Sequence, residues 1–359
     1  MSPLVPLRHD LAALEGYHSP QVAAAVRLNT NESPYPPPET WRDDLAAEIE
    51  RIDFHRYPDR TAAALHDGLA AFHGVTPDEV FCANGSNEVL LCLQLAFGGP
   101  GRRALLFEPT YALHSHLARL AGTEVVAGGR TADFHIDPDE ADRLMAEARP
   151  ELTFVCSPNN PTGGAEPPQL VARLADTAPG LVVVDEAYGQ FAPSSALDLR
   201  GSGEGGRRGL VVVRTFSKTW AMAACRLGYL VADPEVVAGC RAASLPYHLS
   251  AVSQAAGVLA LRYRREMEAR VAAVAEERGR LSAALADLDV EWWPSDANFI
   301  LFRPTGREAR GVWDDLLAAG VLVRDCSSWE GLLGCLRVTV GTAKENDRFL
   351  QALRGSLGG

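Results

Sequence analysis

The sequence contains almost no lysine. Of its 34 basic residues only Lys218 and Lys344 are lysine, and the rest are arginine. Arginine replaces lysine wherever positive charge alone matters, but it cannot shed its proton and act as an amine nucleophile. A lysine retained against that background is a candidate for chemistry. Lys344 stands in Thr342-Ala343-Lys344-Glu345-Asn346, a polar stretch that reads as a solvated surface position. Lys218 stands directly behind an apolar run.

Long hydrophobic runs are also missing. The best, residues 90–97 and 181–184, fall far short of the roughly 20 residues of a membrane-spanning helix. The start, Met1-Ser2-Pro3-Leu4-Val5-Pro6, has no basic region followed by an apolar stretch, so no secretory signal is visible. Seven cysteines, an odd number without C-x-x-C spacing, read as free thiols of a reducing compartment. His114-x-His116 lacks evident companions, and there is no H-E-x-x-H, so no metal is expected. A net charge of -12 argues against nucleic acid or an acidic membrane surface as partner. The expectation is a cytoplasmic protein. With 47% hydrophobic and 22% charged residues over 359 positions, the chain has material for two joined domains.

No internal repeat is present, and the one low-complexity patch, residues 201–209, reads as a flexible surface loop. From about residue 60 to 245, helical periodicity alternates with short apolar runs at 104–107, 152–156, 181–184, 210–213 and 227–231. Such runs predict strands buried on both faces of a mainly parallel sheet. After Pro246 the pattern changes to one long helical stretch over 250–288. A strand at 298–302, a helix at 307–319, a short run at 321–323, a strand at 336–340 and a closing helix follow. The expected fold class is α/β, with an arm over 1–37, a large domain over 38–245 and a smaller α+β domain over 246–359.

Ligands of open α/β sheets bind beyond the carboxyl ends of the strands. Here those ends carry polar residues. The run at 152–156 is followed by Ser157-Pro158-Asn159-Asn160-Pro161-Thr162-Gly163, that at 181–184 by Asp185-Glu186-Ala187-Tyr188, and that at 210–213 by Arg214-Thr215-Phe216-Ser217-Lys218. One sheet edge would thus present Asn160, Asp185, Tyr188, Ser217 and Lys218 together. The alternative for Asp185 is a helix N-cap, which suits its place at the end of a buried strand less well, and Tyr188 alone reads equally as a half-buried core aromatic.

Together they suit pyridoxal 5'-phosphate. That cofactor needs a lysine amine for a Schiff base and a carboxylate against its pyridine nitrogen. Lys218 and Asp185 meet those needs, with Asn160 and Tyr188 as donors to the ring oxygen. Its phosphate needs backbone N–H groups and positive charge. Asn84-Gly85-Ser86-Asn87-Glu88 opens a helix behind an apolar run, and Arg226 lies eight residues beyond Lys218. Tyr111 is a candidate to stack on the ring, or simply a packing residue.

These segments, with Arg226-Leu227-Gly228-Tyr229, resemble the fold-type I, class I/II pyridoxal-phosphate aminotransferases. Within them the chain is most similar to the histidinol-phosphate branch, through Leu28-Asn29-Thr30-Asn31-Glu32, Arg56-Tyr57-Pro58-Asp59, Asp296-Ala297-Asn298-Phe299, Val321-Leu322-Val323-Arg324-Asp325 and Leu336-Arg337-Val338-Thr339-Val340-Gly341-Thr342. The resemblance implies Lys218, Asp185 and Tyr188 as catalytic residues. It puts Ser86, Asn87, Ser217 and Arg226 on the cofactor phosphate, Tyr111 on the ring face, and Asn160 and Tyr188 on the ring oxygen. Tyr57 would reach the phosphate from a neighbouring subunit, so a homodimer with shared active sites is implied. Arg337 with Arg324 would bind the substrate anion, and Tyr17 and Asn31 would line the substrate pocket. The implied reaction exchanges amino groups between histidinol phosphate and 2-oxoglutarate, yielding glutamate, in histidine biosynthesis. An aromatic amino-acid aminotransferase, a threonine-phosphate decarboxylase and a catalytically silent relative stay open as rivals. Gln190 stands where the family usually has glutamate, and Thr219-Trp220-Ala221-Met222-Ala223-Ala224-Cys225 carries alanine and cysteine where glycine and leucine are common.

Overall fold

The computed structural model describes residue 5 and residues 8–11, 22–201 and 206–358. Tyr17 and residues 202–205 of the glycine-rich patch lie outside them.

Strand β1 (Val26–Leu28) precedes helices α1 (Glu39–Glu50) and α2 (Ala63–His73), and β2 (Val80–Ala83) leads into α3 (Ser86–Phe97). Strands and helices then alternate through β3 (Arg103–Phe107), α4 (Leu113–Ala121), β4 (Glu124–Gly128), α5 (Pro138–Ala148), β5 (Leu152–Cys156), α6 (Pro168–Thr177) and β6 (Leu181–Asp185). β7 (Leu210–Thr215) and β8 (Gly228–Val231) complete one sheet, in the order β2-β8-β7-β6-β5-β3-β4. Its neighbours pair parallel except β8, which is antiparallel to both β2 and β7.

The apolar runs arise because this sheet is covered on both sides. Phe154, Val183 and Val211 face one core with Val89 and Leu93 of α3 and Leu117 of α4. Val155, Val182, Val184 and Val212 face the other, with Leu144 of α5 and Leu170 and Leu174 of α6. Successive residues of a strand point to opposite faces, so a strand buried on both reads as a continuous apolar run.

Helices α7 (Pro234–Ala243), α8 (Ala251–Arg262) and α9 (Arg264–Ala286) follow. The single helix expected over 250–288 is therefore two. The break falls at Tyr263, whose hydroxyl donates to Asp44 at 2.7 Å. The two helices serve different cores: Leu259 and Ala260 of α8 pack with Leu65 and Leu69 of α2, while Leu281 and Leu285 of α9 pack under a second sheet.

That second sheet holds β9 (Val290–Trp292), β10 (Phe299–Pro304), β11 (Val321–Asp325) and β12 (Leu336–Thr339), with α10 (Ala309–Ala318) and the closing α11 (Ala343–Leu357). Its order is β1-β11-β12-β10-β9. The segment read as an arm thus supplies an edge strand, because Val26 and Leu28 bury their side chains in this core.

Strand direction decides what reaches the site. β5, β6 and β7 end side by side, with Cys156 opposite Asp185 and Asp185 opposite Val213. β8 runs the other way, so its first residue, Gly228, lies between Ala83 and Thr215. Arg226, just before β8, is delivered to the same edge. From the second sheet, β1 ends beside β11, and Arg324 pairs in register with Arg337 of β12.

Candidate active site

A cavity of about 250 Å³ opens where the two sheets meet. Lys218, Asp185, Asn160, Tyr188, Tyr111 and the Ser86–Asn87 turn line it together with Ser217, Arg226, Asn31, Arg324 and Arg337. Tyr57 does not line the cavity; it is 79% exposed and stacks on Tyr247 with ring centroids 4.6 Å apart.

Lys218 is partly accessible, and its Nζ donates to the Thr30 carbonyl at 3.1 Å. Its amine also sits 5.7 Å from the Tyr188 ring centroid. Burial, reinforced by the Arg337 charge, lowers the amine from its ordinary value to about 8. Glu32 opposes that shift and Arg226 adds to it. Lys344, by contrast, is exposed in the first turn of α11.

Asp185 is 1% exposed at the end of β6. One carboxylate oxygen accepts the Ala187 amide at 3.0 Å, and the other lies 2.9 Å from Nε2 of His114. Asp185 is thus the expected buried carboxylate and not a helix N-cap: its bond to Ala187 closes a local turn, and the next helical turn starts only at Gly189, capped by Tyr188. His114 was missed in the sequence because its partner lies 71 positions away. Its ring stacks on Phe154 and meets Tyr111 edge-on, and its Nδ1 is buried without a hydrogen-bond partner.

The Gly85–Asn87 turn shows why small residues are required there. A Cβ on Gly228 would lie 2.2 Å from the Ser86 nitrogen, and one on Gly85 would lie 2.5 Å from Arg226 Nη2. Gly85 also adopts φ +80°, which favours glycine. The first amides of a helix have no partner within it. Ser86 and Asn87, which open α3, line the cavity with Ser217, whose Oγ lies 3.5 Å from Arg226 Nη1; Asn87 Oδ1 accepts from the Tyr111 hydroxyl at 3.3 Å. A helix start beside an arginine is suited to an anion.

Arg337 is 5% exposed, and its partners are neutral. Nη1 donates to Asn160 Oδ1 at 2.5 Å and Nη2 to the Asn29 carbonyl at 2.8 Å, while Nε has no partner among the described residues. Asp325, next to Arg324 in β11, accepts the Ser327 amide at 2.9 Å. The Arg324 guanidinium lies 5.7 Å from the ring of Trp329, a cavity residue the sequence reading did not pick out.

Two further expectations are modified. Asn31 does line the cavity, but it is buried and its Nδ2 donates to the Tyr188 hydroxyl at 2.9 Å. Asn160 turns its oxygen to Arg337, which leaves its Nδ2 as the donor available to a ligand. Gln190 accepts from the Thr219 hydroxyl at 2.6 Å behind Lys218, so the departure from glutamate is absorbed by a neutral hydrogen bond.

A family model described as aminotransferase class I and II matches residues 23–353. A histidinol-phosphate aminotransferase of Nocardia farcinica is 47% identical, with 98% of this chain and 91% of that protein covered. One from Corynebacterium glutamicum is 44% identical, with 97% and 95% covered. Among solved structures, histidinol-phosphate aminotransferase from Sinorhizobium meliloti in complex with pyridoxal-5'-phosphate matches with a TM-score of 0.89 and 99% of each chain covered. Its identity is 22%, so that likeness concerns the fold.

Proposed function

The chain belongs to the class I and II aminotransferases, and on that premise we propose that it transfers the amino group of L-histidinol phosphate to 2-oxoglutarate. The products are imidazole acetol phosphate and L-glutamate, and the setting is histidine biosynthesis in the cytoplasm. The observation that carries this reading is Arg337. Among the described residues it is a buried guanidinium with no carboxylate partner and an unpaired Nε, set in the same cavity as a lysine amine. Leaving such a charge without a counter-ion is costly unless a ligand anion completes it.

The residues present fit pyridoxal 5'-phosphate. Ser86, Asn87, Ser217 and Arg226 would hold its phosphate in the cradle that glycine keeps open. Asp185, fixed by Ala187 and His114, would face its ring nitrogen, with Asn160 and Tyr188 on its ring oxygen and Tyr111 on its face. When bound, the cofactor supplies an electron sink that acidifies the donor's Cα–H. Lys218 Nζ then takes the proton from Cα, acting as general base with a lowered pKa. Arg337 and Arg324 hold the donor phosphate, and later a carboxylate of 2-oxoglutarate, because a guanidinium fork accepts either anion.

The protein acts as a homodimer in this reading, with Tyr57 contributed across the interface. The stacked pair Tyr57 and Tyr247, both exposed, supports it, as do the exposed Phe54 and Leu245 near them in the chain. Among the described residues no helix is long and apolar enough to cross a membrane.

The test is a donor panel at fixed 2-oxoglutarate with histidinol phosphate, histidinol, phenylalanine and threonine phosphate. Histidinol phosphate should give the highest kcat/KM. A higher value for phenylalanine, or release of carbon dioxide from threonine phosphate, would replace the assignment with an aromatic aminotransferase or a decarboxylase.

A further inference from the structure

The segment Asn29–Glu32 crosses the cavity as a strap. Its first residue gives its carbonyl to Arg337 Nη2, and its second gives its carbonyl to Lys218 Nζ. Asn31, at φ +55°, is pinned by Tyr188 and by Thr339, whose Oγ1 accepts the Asn31 amide at 3.0 Å. The fourth residue, Glu32, also lines the cavity. The strap therefore passes an anion-binding guanidinium, then the reactive amine, then a carboxylate.

Among the described residues Glu32 and Asp185 are the two carboxylates of the cavity wall. Asp185 is already engaged by His114 and the Ala187 amide. Glu32 makes no ion pair with any described residue; its Oε2 accepts only the Thr30 hydroxyl, at 3.0 Å. Its second oxygen is open to a ligand.

We propose that Glu32 determines donor specificity by accepting the N–H of an imidazole ring. This rests on the donor assigned above, whose central carbon carries three groups. They are a phosphorylated hydroxymethyl arm, an amine and an imidazolylmethyl arm. With the phosphate at Arg337 and the amine at Lys218, the ring falls toward the remaining end of the strap. An imidazole N–H completes the carboxylate there, whereas a phenyl ring would desolvate it without a replacement hydrogen bond. The second substrate carries only carboxylates and a carbonyl, so it gains nothing from Glu32.

The experiment compares wild type, Glu32→Gln and Glu32→Ala with two donors that differ only in the ring, histidinol phosphate and phenylalaninol phosphate. Calorimetric binding of 3-(imidazol-4-yl)propyl phosphate, which cannot react, supplies a readout independent of turnover. In Glu32→Ala, kcat/KM for the imidazole donor should fall roughly 10- to 100-fold, the size of one charge-assisted hydrogen bond. The phenyl donor should hold or improve, and the imidazole ligand should bind correspondingly more weakly. Glu32→Gln, which keeps a neutral acceptor, should lie between. An equal fall for both donors would assign Glu32 to the Lys218 amine instead and overturn the inference. So would retention of the imidazole preference in Glu32→Ala. If wild type itself prefers the phenyl donor, the donor assignment fails as well.

Discussion

Arg337 donates to Asn160 at 2.5 Å, although the two stand 177 positions apart, one on a strand of the second sheet and the other in a turn of the first. β12 holds the guanidinium, and the turn after β5 holds its acceptor. Because the acceptor is neutral, an incoming anion takes a guanidinium that owes no charge to a protein carboxylate. The same contact ties the proposed anion site to the residue expected at the cofactor ring.

Arg337→Ala removes the counter-charge for the donor phosphate. The expected loss in kcat/KM is about 2–5 kcal/mol, by analogy with truncation of one partner of a buried charged pair. It should fall on histidinol phosphate and glutamate alike, and less on unphosphorylated histidinol. Steady-state kinetics with the three donors checks this. A purely structural arginine would instead lower thermal stability and leave the ratio of the three donors unchanged.

Lys218→Ala should abolish turnover, and Lys218→Arg should do the same, because arginine keeps its proton. The cradle residues remain in both variants, so cofactor absorbance is expected to persist on the purified protein. Turnover near the wild-type rate in either variant would contradict the assignment of the amine.

The amine at Lys218 is lowered to about 8, first by burial and next by Arg337. In the cofactor-free protein its labelling by an amine-reactive probe, read by peptide mass spectrometry, should reach half its maximum near pH 8. Arg337→Ala removes a neighbouring cation, so the midpoint should move to higher pH. For stability, the unfolded chain keeps the Lys218 proton up to the ordinary lysine range, whereas the folded chain releases it near 8. The cost of burying the ammonium is therefore fully present below pH 8 and relieved as pH rises toward 10.5. The wild type should gain stability relative to Lys218→Met across that window, as measured by denaturant titration.

Gly228→Ala would place a methyl 2.2 Å from the Ser86 nitrogen, a backbone atom that can yield only by moving the start of α3. About 1–3 kcal/mol of stability should be lost through overpacking. Cofactor affinity should fall further, because the displaced turn carries the cradle. Equilibrium dialysis of pyridoxal 5'-phosphate against the variant measures the second effect separately from the first.

Tyr57→Ala should lower activity although Tyr57 lies outside the cavity of its own chain. Mixing inactive Tyr57→Ala and Lys218→Ala subunits should restore part of the activity, since a hybrid dimer contains one intact site. Sedimentation showing a fully active monomer at assay concentration would overturn the shared-site reading.

How much was legible without tertiary structure depends on the range of the contacts. Asn160, Asp185 and Lys218 each stand just beyond a short apolar run, and parallel strands buried on both faces oblige those ends to lie together. A local pattern was sufficient there, as it was for Gly85-Ser86 at the start of α3. Lysine scarcity singled out the amine by its chemistry alone. The break at Tyr263 was not legible, because the helical pattern continues while the surface it packs against changes. Neither were the His114–Asp185 contact, the crossing of the Asn29–Glu32 strap or the neutral partners of Arg337. Those pairs join residues 71, 188 and 177 positions apart. Nothing in the local propensity of either member encodes its partner. Sequence therefore determined the groups that stand at strand ends, through residue chemistry, but not His114 or Trp329. Only the packing of the two sheets decided which group faces which, because hydrogen bonds of this length are set by the relative placement of whole elements.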